Sequence, residues 1–247
     1  MSGEHQEAIA LEAEKTEQRK KLNGLFRDGC FAFEPEMVKL LARVEFPIVV
    51  DLNNVLISNN QPLEVNPEAK KFLNDLAELG EIFVVTTANN WETVWRRLEQ
   101  NGLSDKIVLM VAENYFKPRE EWTRSQRAVI DTYIAEVLKQ GLAEEFGLQE
   151  QLAWKELRVK PEVARRLRFS GSAANKRLAP LFSKPFAVPI IDDAYEATSD
   201  NPGMRGFLAP CFEPHPKKGR GLEKLNTEHQ SLKEIGAAVK KYKDSIR

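Results

Sequence analysis

The stretch Phe46-Pro-Ile-Val-Val-Asp51-Leu-Asn53-Asn-Val-Leu56 decides the fold class that we assign to this chain. Its first half is a short apolar run rich in β-branched residues, which is typical of a buried β-strand. The run ends at the carboxylate of Asp51, and the chain then becomes polar. Because open α/β sheets bind ligands at the carboxyl ends of their strands, we expect Asp51 to serve as a nucleophile or a metal ligand.

Further strands follow this first one along the chain. Apolar runs with β-branched residues predict three more, at 82–86, 107–111 and 188–191, and we take 188–191 as the last strand. Amphipathic segments separate the first three of these four strands. Strands that alternate with helices at this spacing predict βαβ units, and therefore an α/β fold with a parallel sheet.

Two of the amphipathic segments carry helix signals. Apolar residues at helical spacing predict helices at 67–79 and 90–100. For the first helix we expect Asn66 as the N-cap, Pro67 at the first helical position, and Gly80 just beyond the end.

Composition and pattern together divide the chain into five segments. The long, charged segment after the third strand breaks the alternation, and connections of this length usually carry structure of their own. We interpret it as a helical insertion that either covers the site or extends the packing around the sheet. The segments are a charged N-terminal helix or tail (1–24), the first part of the core (25–111), the cap-like insertion (112–168), the second part of the core (169–212), and a basic loop with a C-terminal amphipathic helix (213–247).

The bulk composition excludes several classes of function. Lys plus Arg (36) nearly balances Asp plus Glu (37), so we expect neither a nucleic-acid partner nor a membrane surface. No apolar run approaches the roughly 20 residues needed to span a bilayer, and the polar N-terminal segment lacks the apolar core of a secretory signal. With three scattered histidines and two cysteines, a zinc site is not expected. These features predict a cytoplasmic protein.

Chemically useful side chains follow several of the predicted strands. Thr86 and Thr87 end the second strand, Asp192 and Asp193 end the last one, and Lys176 opens a predicted helix. In a parallel sheet all carboxyl ends share one edge, so these groups can converge on Asp51. Carboxylates hold Mg²⁺, and a lysine offsets the charge of phosphoryl oxygens. The pattern therefore predicts a site for a phosphate and a magnesium ion.

Three short motifs, taken in order, are similar to those of one enzyme superfamily. They are Asp51-Leu52-Asn53-Asn54-Val55-Leu56, then Thr86-Thr87-Ala88, then Lys176-Arg177-Leu178 followed by Ile190-Ile191-Asp192-Asp193. In these residues the chain resembles the haloacid dehalogenase superfamily of phosphohydrolases, most of all its branch of carboxy-terminal-domain and NLI-interacting-factor-like phosphatases. The resemblance covers residues 46–111 and 168–205. It implies a three-layer Rossmann-like core with a central parallel sheet.

The resemblance also implies a role for each matching residue. Asp51 would be the nucleophile that forms an aspartyl-phosphate, and Mg²⁺ would be the cofactor. Thr87 would hydrogen-bond the transferring phosphoryl group, with Thr86 as the alternative, and Lys176 would neutralise that group. The substrate contacts would be Asn53, Thr86 and Asn89, and the metal ligands would be Asp51, the carbonyl of Asn53, Asp192 and Asp193.

Asn53 departs from the pattern of this superfamily. It occupies the position of a second aspartate that protonates the leaving group and then activates water, and general acid–base catalysis of this kind is worth ~10²–10⁴ in rate. Three alternatives stay open: a slow phosphatase, a phosphatase whose acid is Glu64, Glu113 or Glu120, or a catalytically inactive pseudophosphatase that serves as a binding or scaffold protein. The expected partner is a phosphorylated small molecule or a phosphoprotein, and the terminal helices offer a docking element for another protein.

Overall fold

Four apolar runs and one short mixed segment form the strands of a parallel sheet. The computed structural model describes residues 3–28, 35–58, 63–86, 91–111, 188–193, 204–212 and 231–246. Its strands are β1 (Pro47–Asp51), β2 (Glu81–Thr86), β3 (Ile107–Val111), β4 (Pro189–Asp192) and β5 (Arg205–Leu208). They lie in the order β3-β2-β1-β4-β5, and each neighbouring pair is parallel. The predicted α/β fold with a parallel sheet is therefore confirmed in these residues.

Burial on both faces of the sheet explains why apolar runs in the sequence could predict these strands. Every residue of β1, β3 and β4 is buried, and so is every residue of β2 after Glu81. Parallel sheets are covered on both faces, so their strands appear as continuous apolar runs. The expectation that 188–191 is the last strand is wrong, because β5 follows it. This edge strand has four residues, includes Arg205 and Gly206, and is only partly buried, so it leaves no continuous apolar run in the sequence.

Five helices accompany these strands in the described ranges. The predicted helix at 67–79 is confirmed but shorter than expected: it begins at Ala69 with Glu68 as the N-cap, and it ends at Ala77 with Glu78, not Gly80, directly after it. Asn66 instead forms a turn before the helix, since its Oδ1 accepts from Glu68 N at 3.0 Å and its Nδ2 donates to Val55 O at 3.0 Å. The helices are α1 (Gly3–Arg27), α2 (Pro35–Leu41), α3 (Ala69–Ala77), α4 (Trp91–Gln100) and α5 (Leu232–Ser245).

Helix α1 packs along the edge strand β3. Leu22 and Phe26 are buried there, whereas the described side chains between His5 and Glu14 are exposed. Asn23 covers the open edge of the sheet: its Nδ2 donates to Ile107 O at 3.0 Å, and its Oδ1 accepts from Leu109 N at 2.8 Å. A side chain thus satisfies backbone groups that would otherwise be an unpaired strand edge.

Several predicted segments lie outside the described residues. They include the insertion at 112–168 and residues 213–230, the first part of the predicted basic loop and C-terminal helix. The described part of the C-terminal segment forms α5, which begins at Leu232. Its N-cap is Ser231, whose backbone is extended and whose Oγ accepts from Glu234 N at 3.2 Å. Within the part of the chain that the structure describes, no helix combines the length and the apolar character needed to cross a membrane.

Candidate functional site

The strand order places a crevice at the carboxyl ends of β1 and β4. From β1 the sheet grows to one side through β2 and β3, and the chain then returns to add β4 on the other side of β1. Such a reversal is a topological switch point, where open α/β sheets bind their ligands. Asp51 is the last residue of β1, Asp192 is the last residue of β4, and Asp193 follows it. Three acids therefore lie at the switch point, where open α/β sheets usually bind a ligand.

The carboxylates of Asp51, Asp192 and Asp193 form one cluster. Each offers an oxygen, and these oxygens all lie within 4.8 Å of one another. Asp51 is 4% exposed and Asp192 is 1% exposed, while Asp193 is partly exposed. Like charges that share a buried site repel one another, and a cation bound between them removes that cost. Of the described residues, these three form a group that can hold a metal ion.

The loop after β1 holds Asp51 in place. Leu52 N donates to Asp51 Oδ1 at 2.8 Å and also to Val85 O at 3.1 Å. The chain then makes one wide helical turn, in which Leu56 N and Ile57 N both donate to Leu52 O, at 3.0 and 3.1 Å. Backbone donors therefore fix one oxygen of Asp51 and the start of the loop that follows it.

Asn53 and Thr86 meet at the same edge of the sheet. Asn53 Nδ2 donates to Thr86 Oγ1 at 3.3 Å, and the Thr86 side chain is buried at the end of β2. The two residues come from neighbouring strand ends, as the sequence pattern predicts. The amide of Asn53 has no acidic proton to give to a leaving group.

Asn54 is a member of this region that sequence reasoning missed. Its φ is 60°, in the left-handed region, and its Nδ2 donates to Asp193 Oδ2 at 3.1 Å. Its carbonyl accepts from Phe212 N at 2.6 Å, which ties the loop after β1 to the loop after β5. The signal in the sequence is weak: asparagine tolerates the left-handed conformation better than other non-glycine residues, and Asn54 follows a strand end.

The chemistry of these groups fits a hard divalent cation. All candidate ligand atoms are oxygens, and Mg²⁺ and Ca²⁺ prefer oxygen ligands, whereas structural zinc sites use cysteine and histidine. Asn54 Oδ1 adds a second indication, because it is buried and accepts no hydrogen bond from the described residues. A buried acceptor without a donor costs free energy. The residues that would hold the ion are Asp51, Asp192 and Asp193.

The other predicted site residues fall into two groups. Thr87, Asn89 and Lys176 lie outside the described residues, as do the alternative acids Glu113 and Glu120. Glu64 lies opposite Ser58, next to the antiparallel bridge of Ile57 with Val65: its backbone N donates to Ser58 Oγ at 2.8 Å, and its carbonyl accepts from Ser58 N at 2.7 Å. The structure thus brings Asp51, Asn53, Thr86, Asp192 and Asp193 to one edge of the sheet.

Comparison with known proteins assigns no family to this chain. No family model matches it, and no curated protein or solved structure matches it.

Proposed function

We propose that the chain is a Mg²⁺-dependent phosphohydrolase of the haloacid-dehalogenase type, with a three-layer Rossmann-like core. The observation that carries this proposal is the cluster of Asp51, Asp192 and Asp193, whose oxygens lie within 4.8 Å of one another at the switch point of the sheet. The substrate is a phosphorylated small molecule or a phosphoprotein of the cytoplasm, and the terminal helices offer a docking element for a protein partner.

Asp51 supplies the nucleophile in this proposal. Leu52 N donates to its Oδ1 and so orients the carboxylate, one oxygen of which attacks phosphorus. A new oxygen–phosphorus bond forms, the bond to the leaving alcohol breaks, and the product is an aspartyl-phosphate. Water then attacks this intermediate, releases phosphate and restores the carboxylate. Asp51, Asp192 and Asp193 would hold Mg²⁺, which would neutralise the charge of the phosphoryl group.

Asn53 makes the first step slow for ordinary leaving groups. An alkoxide leaves poorly without a proton, and an amide supplies none, so we expect a rate ~10²–10⁴ below that of an enzyme with an acid here. Thr86 and the predicted Thr87, Asn89 and Lys176 would bind the phosphoryl group. The enzyme is therefore best suited to phosphate esters whose leaving group departs as a stable anion.

A specific observation also favours a second function, a pseudophosphatase that binds rather than hydrolyses. Asn53 Nδ2 donates to Thr86 Oγ1, so the side chain at the acid position is engaged by a neighbouring strand end. An amide in that position preserves a polar pocket wall and removes the acid. Such a pocket would recognise a phosphorylated partner and hold it as a binding or scaffold protein.

Leaving-group dependence tests both functions in one experiment. Hydrolysis of p-nitrophenyl phosphate and of phenyl phosphate is measured with MgCl₂ and with EDTA, for the wild type, Asp51→Asn and Asn53→Asp. An enzyme without its acid hydrolyses the nitrophenyl ester far better than the phenyl ester, because nitrophenolate needs no proton. Asn53→Asp should accelerate the phenyl ester more than the nitrophenyl ester, and Asp51→Asn should abolish both activities. Asn101→Asp, at an exposed helix end, is the matched control.

The outcomes separate the two functions. Activity in the wild type that Asp51→Asn and EDTA both remove supports the phosphohydrolase. An inactive wild type with an active Asn53→Asp supports the pseudophosphatase. Inactivity of all three proteins on both esters overturns the hydrolase proposal.

A further inference from the structure

The loop after β1 contains one site residue whose role the proposed reaction leaves open. We propose that Asn54 is a positioning residue of the cation site: its amide holds Asp193 in the orientation that binds the divalent cation. This inference rests on the cation site of the proposed function and adds to it a residue that itself does not react.

The backbone of Asn54 explains where the side chain stands but not why it is an amide. The residue is in the left-handed conformation, at φ 60°, with its N–H donating to Ile57 O at 2.6 Å and its carbonyl accepting from Phe212 N at 2.6 Å. Both backbone groups are therefore satisfied by the loops. Glycine adopts this conformation without strain, so the conformation alone does not require an amide at this position.

The contact with Asp193 accounts for the amide. Asn54 Nδ2 donates to Asp193 Oδ2 at 3.1 Å, and this bond engages one oxygen of the carboxylate and limits its rotation. Asp193 needs such a tether more than the other two acids do, since Asp51 and Asp192 are the terminal residues of buried strands and Asp193 lies beyond its strand. Residues that orient metal ligands in this way are typically worth 10–100-fold in metal affinity.

The orientation of the Asn54 amide follows from the same contact. With oxygen and nitrogen exchanged, an amide oxygen would face a carboxylate oxygen, and two acceptors would meet without a proton between them. The amide is therefore assigned with Nδ2 toward Asp193. This leaves Oδ1 as the buried acceptor for which the described residues provide no donor. The hydration waters of a bound cation are donors of the kind that such an oxygen lacks.

Asn54 also connects the strand ends that carry the acids. It follows β1, contacts Asp193 beyond β4, and accepts from Phe212 beyond β5. The β5 loop is tied to β4 as well, because Ala209 N donates to Asp192 O at 2.8 Å. A change at Asn54 should therefore alter how Asp193 is held without altering the strands themselves.

The test measures cation binding without any substrate. Binding of Mg²⁺ and of Mn²⁺ is measured by titration calorimetry for the full chain, for Asn54→Gly, for Asp193→Asn and for the double variant. We expect Asn54→Gly to weaken binding about 10–100-fold. Because glycine suits the left-handed backbone, the unfolding midpoint of the metal-free protein should shift by no more than about 2–4 °C. Asn101→Gly is the control for the same substitution at an exposed position, where affinity should not change.

The double variant distinguishes positioning from a general effect on the fold. If Asn54 acts through Asp193, Asn54→Gly changes the affinity little once Asp193 is already replaced, so the two effects are not additive. Additive effects, or a wild-type affinity in Asn54→Gly, would overturn the role of Asn54 and leave the phosphohydrolase standing. A wild-type protein that binds neither cation would overturn both the cation site and this inference.

Discussion

Charged side chains are arranged differently at the two ends of the strands, called here the amino edge and the carboxyl edge of the sheet. At the amino edge, where the strands begin, Arg19 Nε donates to Glu81 Oε1 at 2.5 Å and Arg19 Nη1 lies 3.2 Å from Glu12 Oε1, so opposite charges are paired. At the carboxyl edge, Asp51, Asp192 and Asp193 bring like charges within 4.8 Å. The charges at the amino edge are therefore paired, whereas the repulsion at the carboxyl edge would be offset by the cation of the proposed function.

Strand β2 shows the contrast within six residues. It begins at Glu81, in the ion pair with Arg19, and ends at Thr86, which accepts from Asn53 at the candidate site. Burial raises the pKa of Glu81, and the neighbouring Arg19 lowers it only in part. Burial also acts to lower the pKa of Arg19, but Glu81 and Glu12 outweigh burial and raise it, so the guanidinium stays charged. Removing either partner would leave the other charge buried without a compensating charge.

The largest effect is expected when a positive charge is removed from the amino edge. Arg19→Met leaves Glu81 buried without its partner, and removing one member of a buried pair typically costs 3–5 kcal/mol, so we expect a loss of about that size. Urea unfolding of the wild type and the variant measures it. Lys71→Met, in the exposed pair with Asp75, is the control and should change stability by no more than about 1 kcal/mol. Equal losses in both variants would show that the amino edge does not depend on its buried pair.

Removing a charge from the carboxyl edge should have a smaller effect of the opposite sign. Asp51→Asn keeps the oxygen that accepts from Leu52 N and relieves repulsion, so we expect the metal-free protein to gain about 0.5–2 kcal/mol. The same variant should lose most of the stabilisation that MgCl₂ gives the wild type. Thermal unfolding with and without MgCl₂ measures both changes, and Asp75→Asn serves as the exposed control. A destabilised Asp51→Asn protein whose midpoint still rises with MgCl₂ would contradict the proposed contrast between the edges.

The pH dependence of stability gives the smallest expected effect. Because the pKa of Glu81 is raised above its ordinary 4.5 in the folded protein, the folded state holds this proton more tightly than the unfolded state. Its contribution to stability is therefore fully present below the ordinary value and is lost as the pH rises through the folded pKa. The stability of the wild type minus that of Glu81→Gln should fall across this window, by less than about 1.4 kcal/mol per unit of pKa shift. Urea unfolding at several pH values measures the difference. A rise with pH would mean that Arg19 outweighs burial.

The strands were predictable because burial on both faces leaves a local signature. The predicted strands at 82–86 and 107–111 match β2 and β3 to within one residue, and Asp51 falls at the end of β1 as expected. The edge strand β5 was missed, since a partly exposed four-residue strand has no such signature. The packing of α1 on β3 through Asn23 was also not predictable, because it joins residues more than 80 positions apart in the sequence.

The acids of the candidate site could be predicted from the sequence, but the residues that hold these acids in place could not. A carboxylate at the end of a buried strand is visible in the sequence, and parallel strands bring their carboxyl ends together, so Asp51 and Asp192 could be expected at one edge. Asn54 could not be assigned, because its contact with Asp193 spans 139 positions and depends on the register of β1 against β4. Gly80 is similar, since a Cβ there would lie 1.9 Å from Phe46 O, a contact that exists only once the strands are paired.

The sequence by itself determined the α/β class, the strands of the buried core and the acids that end them, because hydrophobic periodicity and strand length are local properties. Only the tertiary structure decided the strand order, and with it the switch point between β1 and β4 where the three acids meet. It also decided that Arg19 and Glu81 form an ion pair, while Asp51, Asp192 and Asp193 form a cluster of acids. Hydrogen bonds and electrostatic energies depend on distance in space, and the folded arrangement of distant segments sets those distances.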